Sequence, residues 1–252
     1  MGDAAELVLE ARRARRLLAP LTALADEAAG YAAQLAVAQR MGAVPPAGFK
    51  IGATTKQMQA YLGLDGPLGG FVPASGVQAT RGRYRFADFV APGVECEVGV
   101  RLARDLPPGP CSRAAAEAAV ADVFPAIEIV DKRYADMSAL HVPTLVADQV
   151  FHAAGVTGAP APGWRALDLG AVRGRMTVAG TLRGEGVGAD LLGHPMAALA
   201  WLAGSGAAAA FGGLKAGQVV FLGSVTPPIW LDGPCTVVVE FDGLARAEVV
   251  FA

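Results

Sequence analysis

Two stretches of the chain alternate apolar and polar positions as a β-strand does, and each carries glutamate where an apolar side chain is expected. In residues 94–100, apolar residues occupy every second position, and Glu95 and Glu97 share the opposite face. In residues 124–130, Glu128 interrupts an otherwise apolar run. Positions two apart on one face of a strand are separated by about 6.5 to 7 Å, so Glu95 and Glu97 can reach one cation.

The rest of the pattern predicts an α+β protein. Helical spacing predicts helices over residues 3–18, 22–41, 53–64 and 112–123. Apolar runs predict further strands over residues 47–52, 217–225, 235–241 and 246–251. Glycine and proline dominate residues 63–76, which predicts a surface loop that closes over a site. Residues 195–214 are uncharged, but glycines interrupt them, so we expect a buried helix and a loop there and no membrane span.

Composition narrows the class of protein. The 252 residues are 53% hydrophobic and 17% charged, which favours a compact core over disorder. A formal net charge of −2 without a long basic run argues against a nucleic-acid partner. The three cysteines form neither a zinc motif nor a disulfide framework, and the N-terminus lacks the order of charges of a signal peptide, so we expect a cytoplasmic protein.

Three glutamates in strand settings predict a site for a divalent cation. Mg²⁺ and Mn²⁺ prefer oxygen ligands, which makes Glu95, Glu97 and Glu128 the candidate ligands. The alternative is that Glu95 and Glu97 lie on a solvated face of a half-exposed strand. Glu128 favours the metal site, because its neighbours are apolar on both faces and a buried charge needs a partner.

Lys50 is a further candidate for chemistry. It lies between Phe49 and Ile51 in a short strand with glycines on both sides. It is therefore either a functional lysine that a ligand approaches closely or an edge-strand lysine that faces water.

Four other polar residues have two interpretations each. Asp148 either orients Lys50 or a metal ligand, or caps a loop. Ser224 and Thr226 follow a predicted strand, where they either bind a substrate carboxylate or satisfy a turn. His152 lies close after Asp148 and can supply an acid or base, but we interpret it as a packed or surface histidine, since no spacing links it to a site.

The order and spacing of several segments over nearly the whole chain resemble the hydratase/decarboxylase branch of the fumarylacetoacetate hydrolase superfamily. The segments are residues 29–34 (AGYAAQ), 48–52 (GFKIG), 94–98 (VECEV), 125–129 (PAIEI), 146–148 (VAD), 192–195 (LGHP), 201–203 (WLA) and 214–217 (LKAG). The resemblance implies a mixed β-sheet roll preceded by N-terminal helices, with residues 1–45 as a helical segment and residues 46–252 as the β-rich, metal-binding catalytic core.

The same resemblance implies the roles of the site residues. Glu95, Glu97 and Glu128 correspond to metal ligands, and Lys50 to the active-site lysine. It also implies a homo-oligomer, which in some pathways associates with a partner enzyme. The cation, Mg²⁺ or Mn²⁺, would stabilise the enolate oxygen of a small 2-oxo or 2-hydroxydienoic acid.

Two departures from the family pattern bear on the reaction. Hydratases of this branch carry an acid in a Pro-Asp-aromatic-Gly motif, but residues 67–70 read PLGG, which places Leu68 at the acid's position. The family's Ala-Asp-Asn-Ala-Ser run reads ADQVF at residues 147–151. Leu68 is therefore assigned to an apolar substrate-facing loop that would exclude water.

The function expected from the resemblance is that of a metal-dependent 2-oxopent-4-enoate hydratase in the catabolism of aromatic compounds. A 4-oxalocrotonate-type decarboxylase is the first alternative, because of Leu68. An acylpyruvate-type C–C hydrolase and a non-catalytic partner subunit are further alternatives.

Overall fold

The structure is a computed structural model that describes residues 3–137 and 139–252. Seven α-helices occupy Ala4–Ala14 (α1), Glu27–Arg40 (α2), Lys56–Leu62 (α3), Arg113–Ala118 (α4), Val142–Ala147 (α5), Pro195–Ala203 (α6) and Gly206–Ala210 (α7). Thirteen strands occupy Gly48–Gly52 (β1), Leu68–Val72 (β2), Val77–Ala79 (β3), Gly82–Tyr84 (β4), Pro92–Leu102 (β5), Val120–Asp131 (β6), His152–Thr157 (β7), Arg173–Val178 (β8), Thr181–Val187 (β9), Val219–Ser224 (β10), Ile229–Trp230 (β11), Thr236–Phe241 (β12) and Arg246–Phe251 (β13).

The strands form two sheets. The larger sheet has the order β2-β1-β10-β5-β6-β7-β3, with the short β11 paired to β5, and the smaller has the order β4-β13-β12-β8-β9. Both sheets are mixed, since β1 pairs with β10, and β4 with β13, in parallel, among antiparallel neighbours. The two sheets contact each other where β12 and β13 pack against β6. The predicted α+β class and mixed sheet are confirmed.

The long antiparallel pair β5 and β6 lies in the middle of the larger sheet and places the site. The register sets Glu95 directly opposite Glu128. Apolar side chains such as Val94 fill the other face of β5 and are fully buried. Glu97 and Glu128 are also fully buried, so the alternative of a solvated glutamate face is wrong for Glu97.

Side-chain caps begin two of the short helices. The Thr55 side chain accepts a hydrogen bond from the Met58 N–H at the start of α3, and Ser112 does the same for Ala115 at the start of α4. Helix α4 ends at Ala118, earlier than predicted, because the following apolar and β-branched residues enter β6. No helix in residues 3–137 and 139–252 has the length and apolar character needed to cross a lipid bilayer.

The structure of β1 and β2 contradicts one prediction and excludes one of two alternative interpretations. Residues 68–72 were expected in a loop over the site, but they form β2, which is buried along its length. Leu68 is only 3% exposed and packs in the hydrophobic core, because β2 pairs with β1 and its Gly69 lies close to Ala207 and Leu202 of the helices. Lys50 is not at an edge either, since β1 lies between β2 and β10.

Candidate active site

Three carboxylates meet in the middle of the larger sheet. One oxygen from each of Glu95, Glu97 and Glu128 can be chosen so that all three lie within 4.8 Å of one another. Glu95 and Glu97 lie two positions apart on β5, and Glu128 faces them from β6. The predicted candidate ligands are therefore brought together by one pair of strands.

The cluster is short of positive charge. Burial, and then repulsion from Glu128, raises the pKa of Glu95 to about 8. Burial and the other two carboxylates raise the pKa of Glu97 well above its ordinary value. One oxygen of Glu97 (Oε1) and one of Glu128 (Oε2) are buried without a hydrogen-bond partner. Clustered carboxylates with unpaired oxygens fit a hard divalent cation, which would supply the missing charge.

Glu128 is held through its other oxygen. Its Oε1 lies 3.1 Å from the Lys50 ammonium nitrogen and 2.8 Å from His152 Nδ1. Burial opposes ionisation of Glu128, but Lys50 and His152 outweigh it and hold the pKa of this carboxyl below its ordinary value. Glu128 is therefore the ionised member of the cluster, and the two donors leave Oε2 unpaired toward the other glutamates.

Lys50 is buried in a passage that small residues leave open. Its side chain is 1% exposed, and its ammonium also donates to the Val150 carbonyl oxygen at 3.1 Å. A Cβ at Gly52 would lie 3.1 Å from the Lys50 nitrogen, and one at Gly70 would lie 3.3 Å from the Lys50 side chain. The glycines of β1 and β2 thus provide room for Lys50 to reach Glu128.

The Val150 carbonyl is placed by a strained turn. Gln149, Val150 and Phe151 all have positive φ, at 56°, 50° and 67°. This region is unfavourable for residues with a Cβ, and most of all for β-branched valine. Strain of this kind persists where the surrounding structure fixes the backbone. Here the strained turn joins Asp148 at the end of α5 to His152 at the start of β7.

A glycine brings the backbone to Glu97. Gly223 has φ of +100°, and a Cβ there would lie 2.4 Å from the Thr54 side chain. Its N–H donates to Glu97 Oε2 at 2.9 Å. Glu97 therefore has one oxygen satisfied by backbone and one unpaired, the same division as in Glu128.

A cavity of about 830 Å³ opens beside the cluster. Glu95, Ser224 and Thr226 line it, so the structure brings two of the predicted substrate-binding residues to the metal-ligand cluster. The Ser224 hydroxyl receives a hydrogen bond from the Cys96 N–H at 3.1 Å and lies 3.4 Å from the Thr226 hydroxyl oxygen. The third predicted substrate residue, Leu68, is placed in the core and does not line this cavity.

Asp148 belongs to a separate buried cluster. Its carboxylate accepts from Arg12 at 2.8 Å, from Arg133 at 3.0 Å and from the Tyr134 hydroxyl at 2.9 Å. Burial opposes its ionisation, but Arg133 and Arg12 hold the pKa of Asp148 below its ordinary value. Among the described contacts, Asp148 makes none with Lys50, so any effect on Lys50 passes through the turn that follows it.

Sequence reasoning missed the part that His152 plays in the site. The residue is 2% exposed, and burial lowers the pKa of its imidazole, which is therefore neutral near pH 7. Its Nδ1 donates to Glu128, while Nε2 has no hydrogen-bond partner and lines a smaller cavity of about 190 Å³ that Arg12 and Arg133 also border. The signal in the sequence was the position of this histidine close after Asp148.

Comparison with known proteins gives one consistent group of relatives. The family described as fumarylacetoacetate (FAA) hydrolase C-terminal matches residues 64–251. A 2-keto-4-pentenoate hydratase of Burkholderia vietnamiensis is 32% identical over 250 residues, which cover 96% of this chain and 94% of the relative. A 2-hydroxyhexa-2,4-dienoate hydratase of Comamonas testosteroni is 32% identical over 227 residues, covering 86% and 84%.

A solved structure shares the fold over nearly the whole chain. The 4-oxalocrotonate decarboxylase from Pseudomonas putida G7, complexed with magnesium and adipate, matches with a TM-score of 0.89 at 24% sequence identity. The match covers 99% of this chain and 96% of the decarboxylase chain. At this identity the match establishes the fold, including the N-terminal helices that precede the sheets.

Proposed function

This chain belongs to the fumarylacetoacetate hydrolase family, and we propose that it is a divalent-metal-dependent lyase of the 2-oxopent-4-enoate hydratase type. Its substrate would be a small 2-oxo or 2-hydroxydienoic acid from the catabolism of aromatic compounds. Relatives that are about 30% identical over most of the chain are named hydratases, which supports water addition as the reaction.

The observation that carries the proposal is the cluster of three buried glutamates with unpaired oxygens. Glu95, Glu97 and Glu128 would hold Mg²⁺ or Mn²⁺, and the magnesium in the solved decarboxylase supports this choice. When bound, the cation supplies Lewis-acid stabilisation of negative charge on the 2-oxygen of an oxo acid.

Four side chains of the protein would bind the substrate, transfer a proton or position the site. The Lys50 side-chain nitrogen lies 3.1 Å from Glu128, and we assign Lys50 the proton transfer or the stabilisation of the enolate. The hydroxyls of Ser224 and Thr226 would bind the substrate carboxylate in the cavity. Asp148 would act as a positioning residue, because it anchors the turn whose Val150 carbonyl accepts from Lys50.

Decarboxylation of a 4-oxalocrotonate-type acid is the second candidate reaction. It is supported by the 4-oxalocrotonate decarboxylase from Pseudomonas putida G7, whose solved structure shares the fold over nearly the whole chain. The buried pair of Lys50 and Glu128 argues against a non-catalytic partner subunit, since such a subunit has no need of it.

The test is to assay the purified protein with Mg²⁺ on 2-hydroxypenta-2,4-dienoate and on 2-oxohex-3-enedioate, with identification of the products. We expect 4-hydroxy-2-oxopentanoate from the first substrate, and no turnover with chelator or in Glu128→Gln. Release of CO₂ from the second substrate, without hydration of the first, would assign the decarboxylase instead. Absence of turnover on both would contradict the proposal.

We also propose a cytoplasmic homo-oligomer, associated in its pathway with a partner enzyme. Membership of the family supports this proposal, because the resemblance implies a homo-oligomer and a partner enzyme. No helix in the described residues could cross a membrane. Size-exclusion chromatography with light scattering tests the assembly.

A further inference from the structure

The cavity beside the glutamates is larger than a five-carbon acid requires. Its volume is about 830 Å³, and cavities of about 300 to 1,000 Å³ accommodate drug-sized ligands. Glu95, Ser224 and Thr226 supply polar groups on the part of the lining that belongs to the glutamate cluster and the end of β10. Most of the other lining residues are apolar, so the cavity combines groups suited to an oxo acid with a larger apolar wall.

The apolar wall continues to the opening. The apolar lining includes two residues of α3, Met58 and Tyr61, together with Met137, Phe151 and Trp230. Tyr61 is 68% exposed and Trp230 36% exposed, which places both at the mouth. Exposed aromatic side chains next to an enclosed apolar wall offer a ligand more apolar surface to cover.

The same wall offers little positive charge to bind a second carboxylate. Among the lining residues, all in the described part of the chain, no arginine occurs, and the cation is Lys132. The Lys132 ammonium lies 5.2 Å from the centre of the Trp230 ring, so it already has a favourable contact at the rim. Asp190 brings negative charge to the same wall, which would repel a dicarboxylate.

We infer that the substrate is a monocarboxylic 2-oxo or 2-hydroxydienoic acid that carries an extended apolar substituent at the end far from its carboxylate. The inference rests on the proposed function, because the oxo acid end must bind at the glutamate cluster. Each methylene that reaches the apolar wall should strengthen binding by about fourfold, so three of them should give roughly 50-fold.

Calorimetry with unreactive acids and Mg²⁺ tests the inference without turnover. The probes are 2-oxopentanoate, 2-oxooctanoate and 2-oxooctanedioate, each titrated into the whole protein. We expect 2-oxooctanoate to bind roughly 50-fold more tightly than 2-oxopentanoate, and more tightly than the diacid of equal length. Equal affinities for the two monoacids, or tighter binding of the diacid, would overturn the inference and leave the proposed function standing. Absence of binding by every acid would overturn both.

Two matched variants locate the effect. Met58→Gln places an amide in the apolar wall and should reduce the ratio of the 2-oxooctanoate to the 2-oxopentanoate affinity several-fold. Met41→Gln makes the same change at an exposed position after α2 and should leave that ratio unchanged. An unchanged ratio in Met58→Gln, in a protein whose thermal unfolding matches the parent's, would also overturn the inference.

Discussion

The molecule buries two clusters of charged side chains, and they differ in how completely their groups are paired. Around Asp148, two arginines and a tyrosine satisfy both carboxylate oxygens. Around Glu128, three carboxylates face one lysine and one neutral histidine, and two carboxylate oxygens remain unpaired. Buried charge is tolerated when it is paired, so the first cluster is complete in the protein itself, whereas the cation that we propose would complete the second.

The Asp148 cluster also supports the glutamate cluster. It fixes the end of α5 and the strained turn that carries the Val150 carbonyl to Lys50. Arg12 belongs to α1, so the N-terminal helices take part in this support. The complete cluster therefore stabilises the geometry of the incomplete one. Variants in the two clusters should separate loss of function from loss of stability.

The largest effect should come from Lys50→Met. The change keeps the length of the side chain but removes the ammonium, and general acid-base assistance is typically worth about 10² to 10⁴-fold in rate. We expect kcat to fall within that range while the far-ultraviolet circular dichroism spectrum stays that of the parent. Turnover close to the parent's would make Lys50 a structural partner of Glu128.

Asp148→Ala should reduce stability more than any single change at the glutamates. It removes the carboxylate that Arg12 and Arg133 share, and breaking a buried ion pair costs about 3 to 5 kcal/mol. Chemical denaturation measures the free energy of unfolding. Asp88→Ala is the matched control, since its pair with Arg15 is exposed and should be worth about 1 kcal/mol or less. Equal losses in the two variants would contradict the contrast.

The contributions of Asp148 and Glu95 to the stability of the fold should change with pH in opposite directions. The pKa of Asp148 is lowered in the folded protein, so its stabilisation is present above its unfolded value, about 4, and is lost as pH falls through the folded value. The pKa of Glu95 is raised to about 8, so in protein without metal its ionisation destabilises the fold as pH rises from about 4.5 to 8.

Denaturation of metal-free protein between pH 3 and 8.5 checks both signs. The stability difference between the parent and Asp148→Asn should shrink below pH 4. The difference between Glu95→Gln and the parent should grow in favour of the variant toward pH 8. Saturating Mg²⁺ should remove the second trend. A parent that gains stability from pH 5 to 8 relative to Glu95→Gln would show that the carboxylates are already compensated.

Glu128→Gln should weaken metal binding while leaving the fold intact. Loss of residues that merely support a metal ligand costs about 10 to 100-fold in affinity, and loss of a ligand should cost at least 10-fold. Calorimetric titration with Mg²⁺ measures the effect. Glu240→Gln, an exposed glutamate on β12, is the control and should bind as the parent does. Unchanged affinity in Glu128→Gln would remove the metal site from this cluster.

The smallest effect should come from His152, which contacts Glu128 without belonging to the three carboxylates. His152→Leu removes the donor to Glu128 Oε1 and should weaken Mg²⁺ binding by about 10-fold, the lower end expected for a supporting group. His152→Gln keeps a donor and should restore most of the affinity. If the two variants bind equally well, the histidine acts through packing alone.

Much of the site was predictable because it lies on strands. The two-residue period placed Glu95 and Glu97 on one face, and the apolar neighbours of Glu128 indicated its burial. The resemblance of the segment around Lys50 added the lysine. The prediction for Leu68 failed because glycine occurs both in loops and in strands that another backbone approaches closely, and only the pairing of β2 with β1 separates the two.

The local pattern of the chain therefore decided the two strands that carry the glutamates, since a two-residue period depends on residues near in sequence, and the resemblance added Lys50. Tertiary contact decided the rest. Arg12 meets Asp148 across 136 positions, and His152 reaches Glu128 across 24 through the register of β6 and β7. The apolar cavity likewise combines α3 with the segment after β10. Such pairs leave no periodic signal, because the free energy that selects them comes from burial and charge pairing in the folded protein.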